Sequence, residues 1–524
     1  MRQSSIWPRR ATGNCTCVRP TWQATRAAPR GSRCPWSAAI PCLNHRAATP
    51  MPIQAMLMPP MALPVALIRG QRLRAPATRV VVRGPSPQPP WAAGQWRFGF
   101  LPRWATGGEP GERLPRIVTA GPADRRLLAG HSVDWLLDAA VAWPTLLNAL
   151  GGAKLSLDIQ LYALHADPIG DAFVQALVHA RQRGVHVRLV LDGIGSSATS
   201  AMQWRALVDA GVQLGVFGPV RLAVPWRQWL RRNHRKVLVI DAHSLHIGGR
   251  NVGNTYYPLG SVAQPCWLDA GVVIHGPVVA EFIRLLQADW QGRLRSGRRR
   301  DWLVRLATHL RPSPSMLVQL SVGRKAQAAA HLGPPVPLAA VGTTPVGMAV
   351  NHGSLRTAVA NTAYTQAIKR ATTQIWLASA YFLPGRQLRQ ALLAALRRGV
   401  QVRLLLPSNR VNDVYVAGCA MIHGLTAFMH AGAQVRLVQD VMLHAKFGIV
   451  DGVWWTVGSA NLDRLSLHRN LEANVVGSGD CEPLVVTFEQ WWQAAQPWTL
   501  QQARALGVGD RLLGWFAWQL RWAL

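Results

Sequence analysis

The sequence is short of lysine and of acidic residues. Only five of its 524 residues are lysine, and 24 acidic residues stand against 57 basic ones, which leaves a formal net charge of +33. Such an excess favours an anionic partner: nucleic acid, a phosphate-bearing substrate or an acidic membrane surface. Because nearly all of the excess is arginine, arginine-favouring codon usage explains it equally well. Charge alone therefore does not choose a function.

Long apolar runs and a disulfide pattern are also missing. No stretch of about 20 uninterrupted apolar residues occurs, which argues against a transmembrane helix. The closest stretch, residues 53–68, is broken by three prolines. The seven cysteines are odd in number and have no framework spacing, which argues against a secreted disulfide scaffold. Cys15, Cys17, Cys34 and Cys42 lack the usual spacing of zinc ligands, so the sequence predicts neither a metal nor a cofactor.

The composition changes near residue 115. Residues 1–115 are rich in Pro, Arg, Ala and Trp and show no sustained period of 2 or 3.6. They predict a disordered tail, or a start site assigned too far upstream, because such a segment buries too little apolar surface to offset its ordering entropy. The remainder divides into a first lobe (116–292), a linker (293–345), a second lobe (346–500) and an amphipathic C-terminal segment (501–524).

The two lobes repeat one order of elements. The first has a predicted strand, helix and strand at 155–162, 170–183 and 185–191, and the second has them at 374–382, 386–398 and 400–406. Each lobe then has an Ala-Gly pair ahead of a short strand, at Ala210-Gly211 and at Ala431-Gly432. The pattern predicts an α/β fold built by tandem duplication of one unit.

Each lobe next carries one His-x-Lys-x4-Asp motif. The motifs are His234-Arg-Lys236-Val-Leu-Val-Ile-Asp241 and His444-Ala-Lys446-Phe-Gly-Ile-Val-Asp451, and they are followed by Gly248-Gly-Arg-Asn251 and Gly458-Ser-Ala-Asn461. Residues two apart on a strand share a face, so the His and the Lys project together while the apolar run is buried. The Gly-x-x-Asn turn then brings an amide back towards that face.

These residue types suit phosphoryl transfer without a metal. One imidazole attacks phosphorus, and the second acts first as acid and then as base. The lysines, with Asn251, Ser459 and Asn461 as phosphate-binding candidates, neutralise the charge that develops on the oxygens. Asp241 and Asp451 complete the motifs and are expected to hold their geometry. The other histidines lack this context, and we interpret them as ordinary core or surface residues.

The motif residues identify a family resemblance. The chain resembles the phospholipase D superfamily with its paired HKD motifs, and more narrowly a bacterial cardiolipin synthase of the short type without N-terminal membrane helices. The narrower resemblance rests on residues 458–474, 380–384 and 191–196, and it covers about 117–500. It implies two mixed-sheet α/β lobes of the phospholipase D type with one active site at their interface.

The resemblance also implies roles for single residues. An acidic residue downstream of each motif is expected to hydrogen-bond a catalytic imidazole and to fix its tautomer. Glu472 matches this residue in the second lobe, and Asp269 is our choice in the first. His234 is expected to be the nucleophile and His444 the acid and base, although the sequence is compatible with the reverse. The first lobe departs from the second in having Gly249 where the second has Ser459.

The function implied is transfer of a phosphatidyl group onto phosphatidylglycerol through a phosphohistidine, giving cardiolipin. A hydrolytic phospholipase D and a nuclease or phosphodiesterase of the same superfamily are the alternatives. The expected partners are phospholipids, with phosphatidylglycerol or phosphatidylethanolamine as the donor, and an anionic membrane surface. Nucleic acid is not favoured, because no base-reading module is recognisable.

The expected location is the bacterial cell membrane, with peripheral attachment at the cytoplasmic face. Two segments rich in aromatic and basic residues, 226–232 and 511–524, suit the headgroup region of a bilayer. Ordinary packing of both segments against the lobes is the alternative.

Overall fold

Two copies of one α/β unit share a single β-sheet in the computed structural model of the chain. The structure describes residues 127–218, 231–258, 266–293, 338–353 and 358–520. The predicted disordered tail, the four cysteines in it, most of the predicted linker and most of the aromatic segment 226–232 lie outside the described residues, and the domain boundaries stay predictions.

The first lobe contributes seven strands and four helices among its described residues. They are β1 (Leu128–Leu136), α1 (Ala139–Gly152), β2 (Ser156–Leu161), α2 (Pro168–Gln182), β3 (His186–Asp192), α3 (Ala201–Asp209), β4 (Gln213–Phe217), β5 (Val237–Ile240), β6 (Ser244–Gly248), β7 (Gly271–His275) and α4 (Val278–Arg293).

The second lobe repeats this order and adds a C-terminal extension. Its described elements are β8 (Thr344–His352), α5 (Val359–Arg370), β9 (Gln374–Ala378), α6 (Arg386–Arg397), β10 (Gln401–Pro407), α7 (Tyr415–His430), β11 (Gln434–Val438), β12 (Phe447–Val450), β13 (Trp454–Gly458), α8 (Arg464–His468), β14 (Leu471–Ser478), α9 (Glu482–Ala494), β15 (Gln496–Pro497), α10 (Leu500–Ala505) and α11 (Val508–Gln519). Among the helices described, none combines the length and the apolar character that crossing a bilayer requires.

Glycines end equivalent helices in the two lobes. Gly184 and Gly399 follow α2 and α6 with φ of 88° and 84°, and Gly211 and Gly432 follow α3 and α7 with φ of 75° and 97°. This left-handed conformation stops a helix and is open to glycine without strain. The repeated glycines seen in the sequence therefore mark helix ends at which the chain turns into the next strand.

Within the described residues, the sheet has 15 strands and is nearly symmetric about its centre. Its order is β15-β11-β10-β9-β12-β13-β14-β8-β1-β7-β6-β5-β2-β3-β4. Read outwards from the central pair β8–β1, both lobes follow the same sequence of equivalent strands, and β15 adds an edge to the second lobe. In each lobe three strands are parallel and the inner ones are antiparallel. The predicted mixed-sheet α/β duplication is confirmed.

Helices cover both faces of this sheet. Leu157, Ile159 and Leu161 of β2 pack with the buried residues of α1, α2 and α3. The intervening residues of β2 face the other way, where Gln160 donates a hydrogen bond of 3.1 Å to Asp289 of α4. Helices α4 and α9, one from each lobe, share a buried cluster on that second face. The two lobes are therefore joined by a common core as well as by the β1–β8 pair.

Candidate active site

The segments that carry the two motifs cross between the lobes just before strands β5 and β12. The backbone N–H of His234 donates to the carbonyl of Leu471 at 2.9 Å, and the backbone N–H of His444 donates to the carbonyl of Leu268 at 2.8 Å. Each bond joins a motif of one lobe to the segment downstream of the motif in the other lobe. The exchange brings Glu472 next to His234 and Asp269 next to His444.

His234 is held by acceptors on one side of its ring. Its Nδ1 lies 3.0 Å and 3.1 Å from the two carboxylate oxygens of Glu472, and 3.1 Å from the carbonyl oxygen of Ser459. Because all of these groups accept, we assign the ring hydrogen to Nδ1, which leaves the lone pair on Nε2. Burial lowers the pKa of His234 below its ordinary value, the Glu472 carboxylate opposes that shift and the Lys236 charge adds to it.

His444 has an equivalent partner from the opposite lobe. Its Nδ1 lies 2.6 Å from a carboxylate oxygen of Asp269, which is fully buried. The Nζ of Lys446 lies 2.7 Å from the same nitrogen and also donates to the carbonyl of His444. A single ring nitrogen serves one of these partners, and we assign its hydrogen to the carboxylate. Burial, reinforced by the Lys446 charge, lowers the pKa of His444 to about 3, while Asp269 acts against the shift.

The two motif lysines are buried and close enough to repel each other. Lys236 is 2% exposed and Lys446 is 1% exposed. Burial lowers the pKa of both ammonium groups, to about 8 for Lys446, and the charge of Lys446 lowers the pKa of Lys236 further. Two cations held together without water favour an anion between them, because the anion relieves both their repulsion and their desolvation.

The two predicted asparagines are buried, and their role in phosphate binding stays a prediction. The amide nitrogen of Asn251 donates to the Tyr256 hydroxyl at 2.7 Å. The amide oxygens of Asn251 and Asn461 are buried and have no hydrogen-bond partner within the part of the chain that the structure describes. A buried amide with an unmet group is costly and indicates a place where a ligand or water completes it.

Ser459 and Gly249 occupy equivalent positions in the two lobes, and the carboxylate beside each one explains why the residues differ. The Ser459 hydroxyl donates to Glu472 at 2.5 Å and accepts from the backbone N–H of Ala473 at 3.0 Å. In the first lobe, a Cβ at Gly249 would lie only 2.2 Å from a carboxylate oxygen of Asp269. The hydroxyl in the second lobe therefore supports a carboxylate, and the first lobe has no room for one. The predicted contact of Ser459 with phosphate stays a prediction.

Asp241 and Asp451 lie at the far end of their strands from the histidines. Asp241 accepts three backbone N–H bonds, from residues 154–156, at 2.7–2.9 Å. Asp451 accepts three backbone N–H bonds and two threonine hydroxyl bonds from residues 372–374. Since a strand rises about 3.3 Å per residue, seven positions separate each Asp from its His by roughly 20 Å. These bonds tie each motif to the start of a neighbouring strand, and both the geometric task and the catalytic role of Asp241 and Asp451 stay predictions.

Aromatic rings around the histidines were missed in the sequence. The ring of Tyr162 lies 4.9 Å from that of His234, and the Nζ of Lys236 lies 5.0 Å from the Tyr162 ring centre. The rings of Tyr256 and Trp267 lie 5.2 Å and 5.3 Å from that of His444. They pack the imidazoles in place and exclude water. Tyr162 ends a predicted strand and Tyr256 follows the first Gly-x-x-Asn turn, but neither position carries a spacing that distinguishes it from a core residue.

The arrangement defines a class of protein: a duplicated α/β fold in which two HKD motifs meet in one site. A family model described as "Cardiolipin synthase, PLD-like domain" matches residues 146–290 and 364–494, together more than half of the chain. The chain belongs to this cardiolipin synthase family of phospholipase-D-like proteins.

Curated relatives agree with this assignment, and one solved structure shares the fold. The chain is 30% identical over 351 residues to cardiolipin synthase A of Pseudomonas putida (strain W619), and the match covers 67% of this chain and 65% of that protein. It is 29% identical over 340 residues to the cardiolipin synthase of Alkalihalophilus pseudofirmus, covering 65% and 61%. The chain therefore spans less than two thirds of the length of these relatives. The crystal structure of phosphatidylserine synthase from Haemophilus influenzae superposes with a TM-score of 0.57 at 16% identity over 76% of this chain and 97% of that one, which shows a shared fold.

Proposed function

We propose that the chain is a phosphatidyltransferase that makes cardiolipin by moving a phosphatidyl group onto phosphatidylglycerol. The observation that carries the proposal is the pair of cross-braced histidines, each with Nδ1 on a carboxylate from the opposite lobe, around two buried lysines. The names of the curated relatives support this choice of substrate within the family.

The first step breaks one phosphodiester bond. The Nε2 lone pair of His234 attacks phosphorus, a P–N bond forms, and the P–O bond to the leaving alcohol breaks. The protonated Nε2 of His444 gives its hydrogen to the leaving alkoxide. Lys236 and Lys446 balance the charge that builds up on the two non-bridging oxygens, and the side-chain N–H groups of Asn251 and Asn461 donate to those oxygens.

The second step reverses the first with a different alcohol. His444, now neutral, takes the proton of the incoming hydroxyl, whose oxygen attacks phosphorus while the P–N bond breaks. His234 leaves neutral and His444 is protonated again, so the cycle closes. Assigning the attack to His234 follows the family resemblance.

Substrate binding sets the protonation state that this cycle needs. Burial and the neighbouring lysines lower the pKa of both histidines. A bound phosphodiester carries a negative charge that offsets the lysines, and an opposite charge close by raises the pKa of an imidazole. We propose that the lipid phosphate itself brings His444 into its acidic form.

We also propose peripheral contact with the cytoplasmic face of the bacterial membrane through α11. Gly514 and Ala517 of α11 are buried, whereas Leu512, Trp515 and Phe516 are 63%, 53% and 57% exposed. A helix with aromatic and aliphatic side chains on its outer face suits the headgroup region. A cavity of about 710 Å³ beside this helix is lined by apolar side chains together with Arg410, Arg504 and Arg511, which supports an anionic lipid surface as the partner.

Product analysis by mass spectrometry tests the proposed function. The full chain is incubated with phosphatidylglycerol vesicles and EDTA, alongside His234→Ala, His444→Ala and, as a matched control, His186→Ala on the exposed end of β3. We expect cardiolipin from the wild type and the control and none from the two site variants, with EDTA without effect because the lysines balance the phosphate charge. If phosphatidic acid is the sole product, the assignment changes from a transferase to a hydrolase. No lipid product together with cleavage of DNA would replace it by a nuclease.

A further inference from the structure

Asp413 is an exposed carboxylate in the loop between β10 and α7 that is held towards the site. It accepts a hydrogen bond from the Tyr381 hydroxyl, which follows β9. The neighbouring Asn412 is buried and its side chain accepts the backbone N–H of Val414 at 3.0 Å, which orders the loop at the start of α7. Two independent bonds therefore fix the loop, and the Asp413 carboxylate itself stays open to solvent.

The negative charge of Asp413 affects residues next to both histidines. Its charge contributes to raising the pKa of Tyr162 and Tyr256, in each case after burial, and it opposes the lowering of the pKa of Lys446. Tyr162 packs on the ring of His234 and Tyr256 on the ring of His444.

The backbone places the partner of Asp413 beside the second motif turn: Phe382, next to Tyr381, pairs with Leu462, which directly follows Asn461, and the Leu462 N–H donates to the Ser379 hydroxyl at 3.1 Å. The exposed Asp413 carboxylate, bound to Tyr381, therefore lies at the solvent side of that turn.

A carboxylate at this place does not bind the phosphate, because like charges repel. As an ionised acceptor it binds hydrogen-bond donors, and bonds to a charged acceptor are stronger than neutral ones. The donors that reach a phosphodiester site from outside belong to the headgroup: hydroxyl groups of glycerol, or the ammonium of ethanolamine.

We propose that Asp413, positioned by Tyr381, is the headgroup-binding residue that accepts a hydrogen bond from the alcohol entering or leaving the site. This inference rests on the proposed function and deepens it. By holding a hydroxyl-bearing headgroup next to the phosphohistidine, Asp413 raises the local concentration of alcohol over water. It is thereby a determinant of transfer against hydrolysis, a choice that the histidines and lysines do not make.

The partition of products tests the inference. Full-length Asp413→Ala and Tyr381→Phe are compared with the wild type and with Asp209→Ala, an exposed carboxylate on α3. Cardiolipin and phosphatidic acid are quantified from phosphatidylglycerol vesicles, and from vesicles with phosphatidylethanolamine as the second lipid. We expect the cardiolipin-to-phosphatidic-acid ratio to fall at least about tenfold in Asp413→Ala and about threefold in Tyr381→Phe, while total lipid consumption stays within about fivefold. Asp413→Asn, which keeps an acceptor, restores part of the ratio.

The outcomes separate this inference from the function on which it rests. A ratio that changes only with phosphatidylglycerol identifies glycerol hydroxyls as the bound donors, and one that changes only with phosphatidylethanolamine identifies the ammonium. An unchanged ratio in both variants, or a parallel loss of both products, overturns the inference while wild-type cardiolipin keeps the proposed function. Absence of any lipid product from the wild type overturns both. Tyr381→Phe preserves the ring, so it decides the question even where Asp413→Ala unfolds.

Discussion

Asp269 and Glu472 each accept a hydrogen bond from the Nδ1 of a histidine, although the two histidines have opposite tasks in the proposed cycle. Asp269 counteracts the burial that lowers the pKa of His444. In Asp269→Asn that support is lost, so the pKa of His444 falls further and its acidic form disappears at a lower pH. We expect the alkaline limb of the pH profile of kcat, which reports the substrate-bound enzyme, to move to lower pH, with kcat reduced about 10²–10⁴-fold because the tautomer is no longer fixed.

Glu472→Gln is the matched experiment on the nucleophile. Glu472 also raises the pKa of its histidine against burial. Since a nucleophile acts in its neutral form, a lower pKa of His234 extends that form to lower pH, and we expect the acidic limb to move down instead. Both profiles are obtained from initial rates of cardiolipin formation between about pH 5 and about pH 9, because histidine titrates in this range. Interchanged limbs would reverse the assignment of nucleophile and acid.

For a serine at position 249, the structure predicts the opposite effect from a comparison of the two repeated sequences. Comparison with Ser459 suggests that Gly249→Ser restores a missing hydroxyl. The structure predicts damage, because the new Cβ would lie 2.2 Å from the carboxylate of Asp269, which holds His444. We expect a loss of transfer activity of at least about tenfold, with overpacking of about 1–3 kcal/mol. Activity equal to or above that of the wild type would show that Asp269 has room to move, and Ser459→Gly measures the equivalent position in the second lobe.

At the scale of elements, the motif aspartates tie one strand to the start of its neighbour. Asp451→Ala removes the acceptor for three N–H groups and two hydroxyls and leaves alanine at a φ of 52°. We expect a loss of about 2–4 kcal/mol in the free energy of unfolding. Asp451→Asn loses less, because asparagine tolerates this backbone and retains one acceptor. Denaturant unfolding measures both, and turnover per folded molecule at 25 °C should stay within about threefold of the wild type. A stable but inactive Asp451→Ala would instead make the residue catalytic.

The same aspartates contribute acid sensitivity. Although burial acts to raise the pKa of Asp451, the backbone donors hold it below the ordinary value. A group with a lowered folded pKa stabilises above its unfolded pKa of about 4, and that stability disappears as the pH falls through the folded value. The difference in unfolding free energy between wild type and Asp451→Ala should therefore be constant near neutral pH and shrink below about pH 4.

Secondary structure was predictable wherever a local pattern determined it. The predicted strand at 155–162 is β2, the helix at 170–183 is α2 and the strand at 185–191 is β3, each within about two residues. The second lobe matches as closely except at the strand predicted over 374–382, because β9 ends four residues earlier, at Ala378. Alternation along strands and glycine at helix ends are properties of neighbouring residues, so a sequence contains them. The order of 15 strands depends on which edges meet, and the central β1–β8 pair joins residues more than 200 positions apart.

The same distinction between local patterns and contacts of distant segments applies to the candidate site. His234, Lys236, His444 and Lys446 are predicted from the two repeated motifs, and Asp269 and Glu472 from the resemblance. That each carboxylate serves the histidine of the other lobe follows from the exchanged backbone bonds at Leu471 and Leu268, which no spacing indicates. The aromatic rings and Asp413 were missed for a related reason: their neighbours come from distant segments.

At the scale of the whole molecule, the charge acts together with a local apolar surface. A net charge of +33 attracts the chain to an anionic bilayer over a distance limited by salt. Long-range attraction alone does not orient a protein, whereas exposed aromatic side chains insert at one place. We therefore propose that the outer face of α11, at Leu512, Trp515 and Phe516, is the part of the described surface that docks on the bilayer.

Vesicle co-sedimentation tests this division of labour. In Trp515→Ser/Phe516→Ser the inserted area is lost, and at about 1 kcal/mol for each half-exposed ring we expect binding to phosphatidylglycerol vesicles to weaken at least about tenfold. Met202→Ser/Val486→Ser, which removes exposed apolar side chains from α3 and α9, should bind like the wild type. Raising the salt should weaken wild type and variants by the same factor, because the charge is unchanged. Equal binding of the two double variants would mean that charge alone holds the protein at the membrane and that α11 is an ordinary packed helix.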